Sequence, residues 1–196
     1  MSPLIGIIMR SSESATGKST QVVYDDIIKS IINSGGTPVG IPYKHVKKYL
    51  KICSGFVMQG GDEFNQIDML NINLLKEYDI PLLGICLGMQ EMAYISSGVI
   101  KDIPNHKNKT HPITIVKDSL LYKIVDTDKM IVNSRHISAI TKTNLKVSSY
   151  SLDNIIESVE DPTCKFFLGI QWHPENLYDD GVNKKIFDYF IKVCQD

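Results

Sequence analysis

The chain has 196 residues, of which 43% are hydrophobic, and a formal net charge of -1 at neutral pH; its mean hydropathy is -0.06. That length suits one well-buried domain spanning residues 1–196, and the apolar content argues against disorder. A charge this close to zero gives no basic field for holding nucleic acid or an anionic membrane, so an anionic ligand must be met by local groups.

The elements alternate from the start. Leu4 to Met9 predicts a strand, and a polar Ser/Thr/Gly loop follows it. Ile27, Ile28, Ile31 and Ile32 recur at helical spacing and predict a helix, which Gly35-Gly36 stops. A second strand is expected at Val39 to Ile41, a short amphipathic helix at His45 to Lys51, and a third strand at Gly55 to Met58. A helix from about Ile67 to Tyr78 leads into the apolar run Ile80 to Ile85, with a further helix over Met89 to Ser97. Strand and helix in turn predict an α/β fold with a mostly parallel central sheet flanked by helices, and ligands bind such sheets at the strands' C-terminal ends.

The second half changes texture. Ile113 to Val116, Lys129 to Val132, Lys146 to Ser151 and Ile155 to Val159 alternate apolar and polar residues, as smaller antiparallel strands do. The chain returns through Phe166 to Gln171, and Val182 to Val193 predicts an amphipathic closing helix. No segment approaches ~18 continuous apolar residues and no basic leader is present, so the expected location is the cytoplasm. Cys53, Cys86, Cys164 and Cys194 form no C-x-x-C pair, which argues against a zinc site or a disulfide framework. Cys53 and Cys194 read as packing residues.

The run Gly17-Lys18-Ser19-Thr20 stands where a phosphate-binding loop would stand, but the full pattern needs glycine at position 12, where Ser12 is found. It reads better as a mobile polar loop beside the pocket, with Ser19 capping the following helix. His106 and His111 resemble metal ligands, but no third ligand at suitable spacing accompanies them, and no metal is expected.

Two segments carry chemistry. Gly84-Ile85-Cys86-Leu87-Gly88 puts a cysteine where a buried strand must turn into a helix. Flanking glycines permit a cramped turn, and the helix start offers unpaired N–H groups that favour a thiolate. Far downstream stands Gln171-Trp172-His173-Pro174-Glu175. Pro174 biases His173 towards extended backbone, where side chains two apart share a face, so Glu175 can orient the imidazole. Together Cys86, His173 and Glu175 supply nucleophile, base and orienting carboxylate, as acyl transfer through a thiol requires.

On these two motifs and the alternating layout, the chain resembles class I glutamine amidotransferase-like proteins along nearly its whole length. Several stretches are most similar to the gamma-glutamyl hydrolase group, peptidase family C26. These are Pro3-Leu4-Ile5-Gly6-Ile7, Gly35 to Pro42, His111-Pro112-Ile113 with Ser119-Leu120, Asn133-Ser134-Arg135-His136, and Gly169 to Glu175. The resemblance implies a flavodoxin-like fold, Cys86 as nucleophile, His173 as acid/base and Glu175 as its orienter. It further implies an oxyanion hole from the N–H groups of Gly61 and Leu87. Gly60, Gln90, Asn133, Ser134, Arg135 and His136 become substrate-binding positions, with His136 structural or positioning rather than a second base.

Departures from the family pattern accompany the resemblance. Gln59 replaces a proline, and the loop from Asp62 to Gln66 is short. Leu87 stands where these hydrolases usually have arginine, a feature commoner in ammonia-delivering glutaminase subunits. Arg135 replaces an aromatic residue, and Ile137-Ser138 replace His-Gln. The leading expectation is a hydrolase that cleaves a gamma-glutamyl amide or isopeptide through a glutamyl thioester, with no cofactor and a small-molecule substrate. The runner-up is a glutaminase subunit passing ammonia to a synthase partner, and a weaker reading is a non-catalytic regulatory domain. Arg135 has two readings: a partner for a leaving-group carboxylate or phosphate, or a member of an ordinary salt bridge. Self-association is compatible with all of these.

Overall fold

A computed structural model describes residues 2–104 and 106–195. Its centre is a nine-stranded sheet. The parallel part runs β4 (Thr37–Ile41), β1 (Leu4–Ile8), β5 (Gly55–Met58), β6 (Leu82–Ile85) and β13 (Phe167–Ile170). Beyond β13 the strands turn antiparallel through β12 (Ile156–Glu160), β11 (Lys146–Ser151), β8 (Lys109–Ile115) and β9 (Lys129–Ser134).

The central strands β5, β6 and β13 are buried at every position, which explains why they read as unbroken apolar runs. Successive residues feed opposite faces. Ile5, Ile7, Val57, Leu83, Ile85, Leu168 and Ile170 pack against α1 (Asp25–Asn33), α4 (Leu120–Val125) and α5 (Val182–Gln195). Ile8, Phe56, Met58, Leu82 and Phe167 meet α2 (Gln66–Glu77), α3 (Leu87–Ile95) and the 3-10 segment Tyr43–Tyr49. Among the described residues no helix is long and apolar enough to cross a membrane.

Helix ends follow local chemistry. Gly35 adopts φ 90 just past α1, and Gly36 N–H bonds to the Ile31 carbonyl at 2.9 Å, so the glycine pair stops the helix as expected. Asn65 caps α2, accepting from Ile67 N–H at 2.8 Å. Ser19 caps nothing. It begins β3 (Ser19–Val22), which pairs antiparallel with β2 (Arg10–Glu13), and α1 starts beyond it after Tyr24. Gly17, at φ 74, makes the hairpin turn, and Ser14 Oγ accepts from Lys18 N–H at 3.0 Å. The expected mobile loop is therefore a closed hairpin. A second small sheet pairs β7 (Val99–Asp102) with β10 (Ser138–Lys142). All four cysteines are free, with Cys53 and Cys194 buried.

Candidate active site

The register of the sheet brings the two sequence motifs together. Ile85 lies opposite Ile170 in the parallel pair β6–β13, and Cys86 N–H donates to the Ile170 carbonyl at 2.7 Å. Cys86 thus leaves β6 beside the strand that leads to His173.

Cys86 has φ 53 and ψ -107, a region that non-glycine residues avoid. Such backbone costs roughly 1–3 kcal/mol and persists only where the surroundings enforce it. Here the flanking glycines supply clearance, and the strained torsion falls on the cysteine itself. A Cβ on Gly88 would stand 2.3 Å from the Met58 carbonyl oxygen, and one on Gly84 would stand 3.0 Å from backbone atoms of Gly88 and Met89. The opening of α3 therefore lies against the tip of β5, with Cys86 at the helix start.

His173 Nδ1 lies 2.8 Å from Glu175 Oε1. The contact is made by a turn, because Pro174 opens a 3-10 segment over Pro174–Asp180 with Glu175 in its first turn. The expected extended-strand geometry ends at His173. Burial disfavours a charged ring, but hydrogen bonding and attraction from Cys86 and Glu175 outweigh it and hold the His173 pKa up at about 9. Both faces of the His173 backbone are gripped by Asn133, which accepts from its N–H at 2.8 Å and donates to its carbonyl at 2.9 Å. The buried indole of Trp172 donates to Asn183 Oδ1 at 2.8 Å and anchors the segment from behind.

A cleft of about 530 Å³ opens above these residues, lined among others by Gly60, Gly61, Cys86, Leu87, Gln90, Arg135, His136 and His173. Two sequence-predicted substrate residues lie elsewhere. Asn133 is committed to the His173 backbone, and buried Ser134 donates its hydroxyl to the His106 carbonyl; neither belongs to the lining. Gln90 sits at the floor, donating to the Ser138 carbonyl at 2.8 Å and to Gln171 Oε1 at 3.0 Å, while Gln171 Nε2 stands 3.8 Å from Cys86 Sγ. Arg135 is exposed on the wall and forms no ion pair among the described residues. Burial drives the His136 pKa down to about 4, so its ring is neutral and only weakly basic.

Sequence reasoning missed Arg10, which is buried at the start of β2. Its guanidinium donates to the Gln59 and Gly60 carbonyls at 2.7 and 3.2 Å, and pairs with Glu91 at 2.9 Å and with Asp68. A trans peptide points its C=O and N–H in opposite directions. Arg10 on the Gly60 carbonyl therefore turns the Gly61 N–H away from the guanidinium. Gln59, in the family's proline position, bonds Tyr24 N–H, the Ile8 carbonyl and the Val22 carbonyl, and so ties the hairpin to β5. The hairpin borders an adjoining cavity that shares Tyr24, Gly61, Asp62 and Phe64 with the cleft.

His106 and His111 have neighbours that their sequence spacing does not reveal. Folding brings His136 and Glu157 against them, from positions too distant in sequence for any spacing rule to connect.

The comparisons agree with this architecture. The glutaminase domain of Trypanosoma brucei CTPS, solved with bound acivicin, superposes with a TM-score of 0.76 at 17% identity, covering 99% of this chain and 94% of that one. A glutamine amidotransferase-like protein of Rickettsia prowazekii is 28% identical over 85% of this chain and 86% of its own length. Gamma-glutamyl-gamma-aminobutyrate hydrolase of Escherichia coli K12 is 25% identical over 98% of this chain and 94% of its own. The family model for peptidase C26 matches residues 63–175, more than half of the sequence. The chain belongs to the peptidase C26 family of class I glutamine amidotransferase-like hydrolases.

Proposed function

We propose that this protein hydrolyses a gamma-glutamyl amide through a glutamyl thioester on Cys86. The observation that carries the reading is the convergence of a strained, cleft-facing cysteine with a histidine held 2.8 Å from a buried carboxylate. As the Cys86 thiol passes its proton to His173, Sγ attacks the gamma-carbonyl carbon and the C=O electrons move to oxygen. The oxyanion is met by the N–H groups of Leu87, first residue of α3 and so without a helical partner, and of Gly61, turned by Arg10. As the carbonyl re-forms, the C–N bond breaks and His173 gives its proton to the departing amine. Water then attacks the thioester, His173 takes its proton, and glutamate leaves with the thiol regenerated.

The leaving amine on this reading carries an anionic group, because Arg135 offers its guanidinium to the cleft. The E. coli relative is named for a substrate whose amine, gamma-aminobutyrate, bears such a carboxylate. The expected outcome is turnover of gamma-glutamyl-gamma-aminobutyrate by the isolated chain, abolished in Cys86→Ala. Arg135→Ala should raise KM about 10-fold or more for that substrate and leave KM for a gamma-glutamyl alkylamine unchanged, since a lost charge-assisted hydrogen bond is worth about 1.5–3 kcal/mol. Turnover surviving without Cys86 defeats the mechanism, and an unmoved KM defeats the role of Arg135.

A second reading keeps the acyl chemistry but makes glutamine the substrate and a synthase the recipient of ammonia. Leu87 in the elbow favours it, as do Phe64 and Ile137, apolar side chains 40% and 58% exposed on the cleft lining where a partner would dock. Glutamine turnover that appears only with an added synthase selects this reading over the first.

A further inference from the structure

Behind the Arg135 wall, three histidines and a glutamate meet in the protein interior. His106 lies between β7 and β8, His111 on β8, His136 between β9 and β10, and Glu157 on β12. One candidate ligand atom from each falls within 4.8 Å of all the others. His106 Nδ1, His111 Nε2 and His136 Nε2 lie 3.8, 3.5 and 3.8 Å from Glu157 Oε1. All three nitrogens and both Glu157 oxygens are buried without a hydrogen-bond partner among the described residues. A buried carboxylate with no donor and three imidazole nitrogens aimed at it is a costly arrangement unless a cation stands between them.

The outer nitrogens point to what that cation is. His106 Nε2 is 2.9 Å from Asp153 Oδ2, His111 Nδ1 is 3.3 Å from the Pro112 carbonyl, and His136 Nδ1 is 3.1 Å from the Ser138 carbonyl. Each outer nitrogen faces an acceptor and so carries the proton, which leaves the inner lone pair free. This carboxylate- or carbonyl-oriented imidazole is the usual support of a metal ligand. Tetrahedral zinc with bonds near 2.0–2.1 Å spaces its ligand atoms about 3.3–3.5 Å apart; the 3.5–3.8 Å separations from Glu157 Oε1 are close to this, and the wider pairs, within 4.8 Å, draw in by up to about 1.5 Å when the shell closes.

We propose that His106, His111, His136 and Glu157 form a closed four-ligand site for zinc. Four protein ligands leave no position for a reacting water, so the ion is structural. It joins β12 to β8 across the intervening β11 and fixes the connection from β9 to β10. That connection carries Arg135 and His136, and the Ser138 carbonyl that orients His136 also accepts from Gln90 in the cleft floor. The zinc would thereby hold the wall of the cleft that faces the leaving group.

The test uses the full chain, purified without chelator or immobilised metal, with zinc measured by mass spectrometry. About one zinc per chain is expected in the wild type and in Cys86→Ala, the latter excluding the reactive thiol as the ligand, and about a tenth or less in Glu157→Gln and His111→Gln. Replacing zinc by cobalt should give the visible bands of a four-coordinate nitrogen/oxygen site without a thiolate charge-transfer band. Re-adding zinc chloride to stripped wild type should raise Tm by several degrees, and should leave folded variants unmoved. If the variants do not fold, the wild type decides alone. Folded wild type that retains no metal, gives no such cobalt spectrum and shows no Tm shift overturns the proposal, as does equal zinc retention by the variants.

Discussion

Glu175 lies 2.8 Å from His173 Nδ1 and, together with Cys86, favours the charged ring. Burial alone would keep the imidazole neutral, and the attractions of Cys86 and Glu175 reverse that, placing its pKa at about 9 against an ordinary 6.5. A raised pKa means that the folded state binds the proton more tightly than the unfolded one. The associated stabilisation is complete below about pH 6.5 and is lost as pH climbs through about 9. Glu175→Gln replaces the carboxylate with a neutral amide. Its expected effects are a fall in kcat of about 10²- to 10⁴-fold and a shift of the alkaline limb of the pH profile towards lower pH. A pH series of kcat/KM on a gamma-glutamyl amide measures both, and an unmoved alkaline limb would contradict the assignment. The nearness of Cys86, His173 and Glu175 was legible in the sequence because each belongs to a short motif at a strand end, although the His173–Glu175 contact is made by a 3-10 turn and not by extended backbone. Asn133, Gln171 and Arg10 were not read in their structural roles, since those depend on partners 40, 85 and 49 positions away.

At the level of elements, Arg10 joins the hairpin, the tip of β5, α2 and α3. It brings one guanidinium against the carboxylates of Asp68 and Glu91 in a buried setting. Burial outweighs the attraction of Arg10 at both acids, raising Asp68 and pushing Glu91 up to about 7. Their folded-state pKa values exceed the unfolded ones, so stability from these groups declines as pH rises through that interval. Arg10→Ala would leave both acids without their cation, and breaking a buried pair in this way costs about 3–5 kcal/mol. The loss should be smaller near pH 5, where Glu91 is protonated, than near pH 8; urea denaturation at the two pH values reads the difference. Equal losses at both pH values would show that the acids are not the reason for the destabilisation. The hairpin that carries Arg10 escaped sequence reading for a related reason. Its strands are Arg-Ser-Ser-Glu and Ser-Thr-Gln-Val, with no apolar alternation, and they are fastened to the tip of β5 by Arg10 on the Gln59 carbonyl and by Gln59 on the Val22 carbonyl. β7 and β10 likewise form through a pairing across some forty residues, whereas β5, β6 and β13 announce themselves by burying every side chain.

Across the whole molecule the cleft sits where the sheet changes direction, because β13 pairs parallel with β6 on one side and antiparallel with β12 on the other. Cys86 and His173 therefore emerge from strands at the middle of the sheet, while much of the cleft wall comes from the segments 60–64 and 135–138. This arrangement places Cys86 and His173 on enclosed strands beneath walls made by connecting segments, which are held by fewer neighbours than the central strands. Hydrogen exchange on the intact chain should follow that division. Amides of β5, β6 and β13 are expected to exchange at least about 10³-fold more slowly than those of the β2–β3 hairpin and of β9, one of the sheet's two edge strands. Glutamate bound to the Cys86→Ala variant should slow exchange in 60–66 and 134–138 and leave the central strands unchanged, because those strands are already held by the fold. Exchange from β6 and β13 as fast as from the hairpin would mean that the strained Cys86 backbone lacks the rigid support its φ requires, and Cys86 would then have to be held by a bound ligand rather than by the sheet.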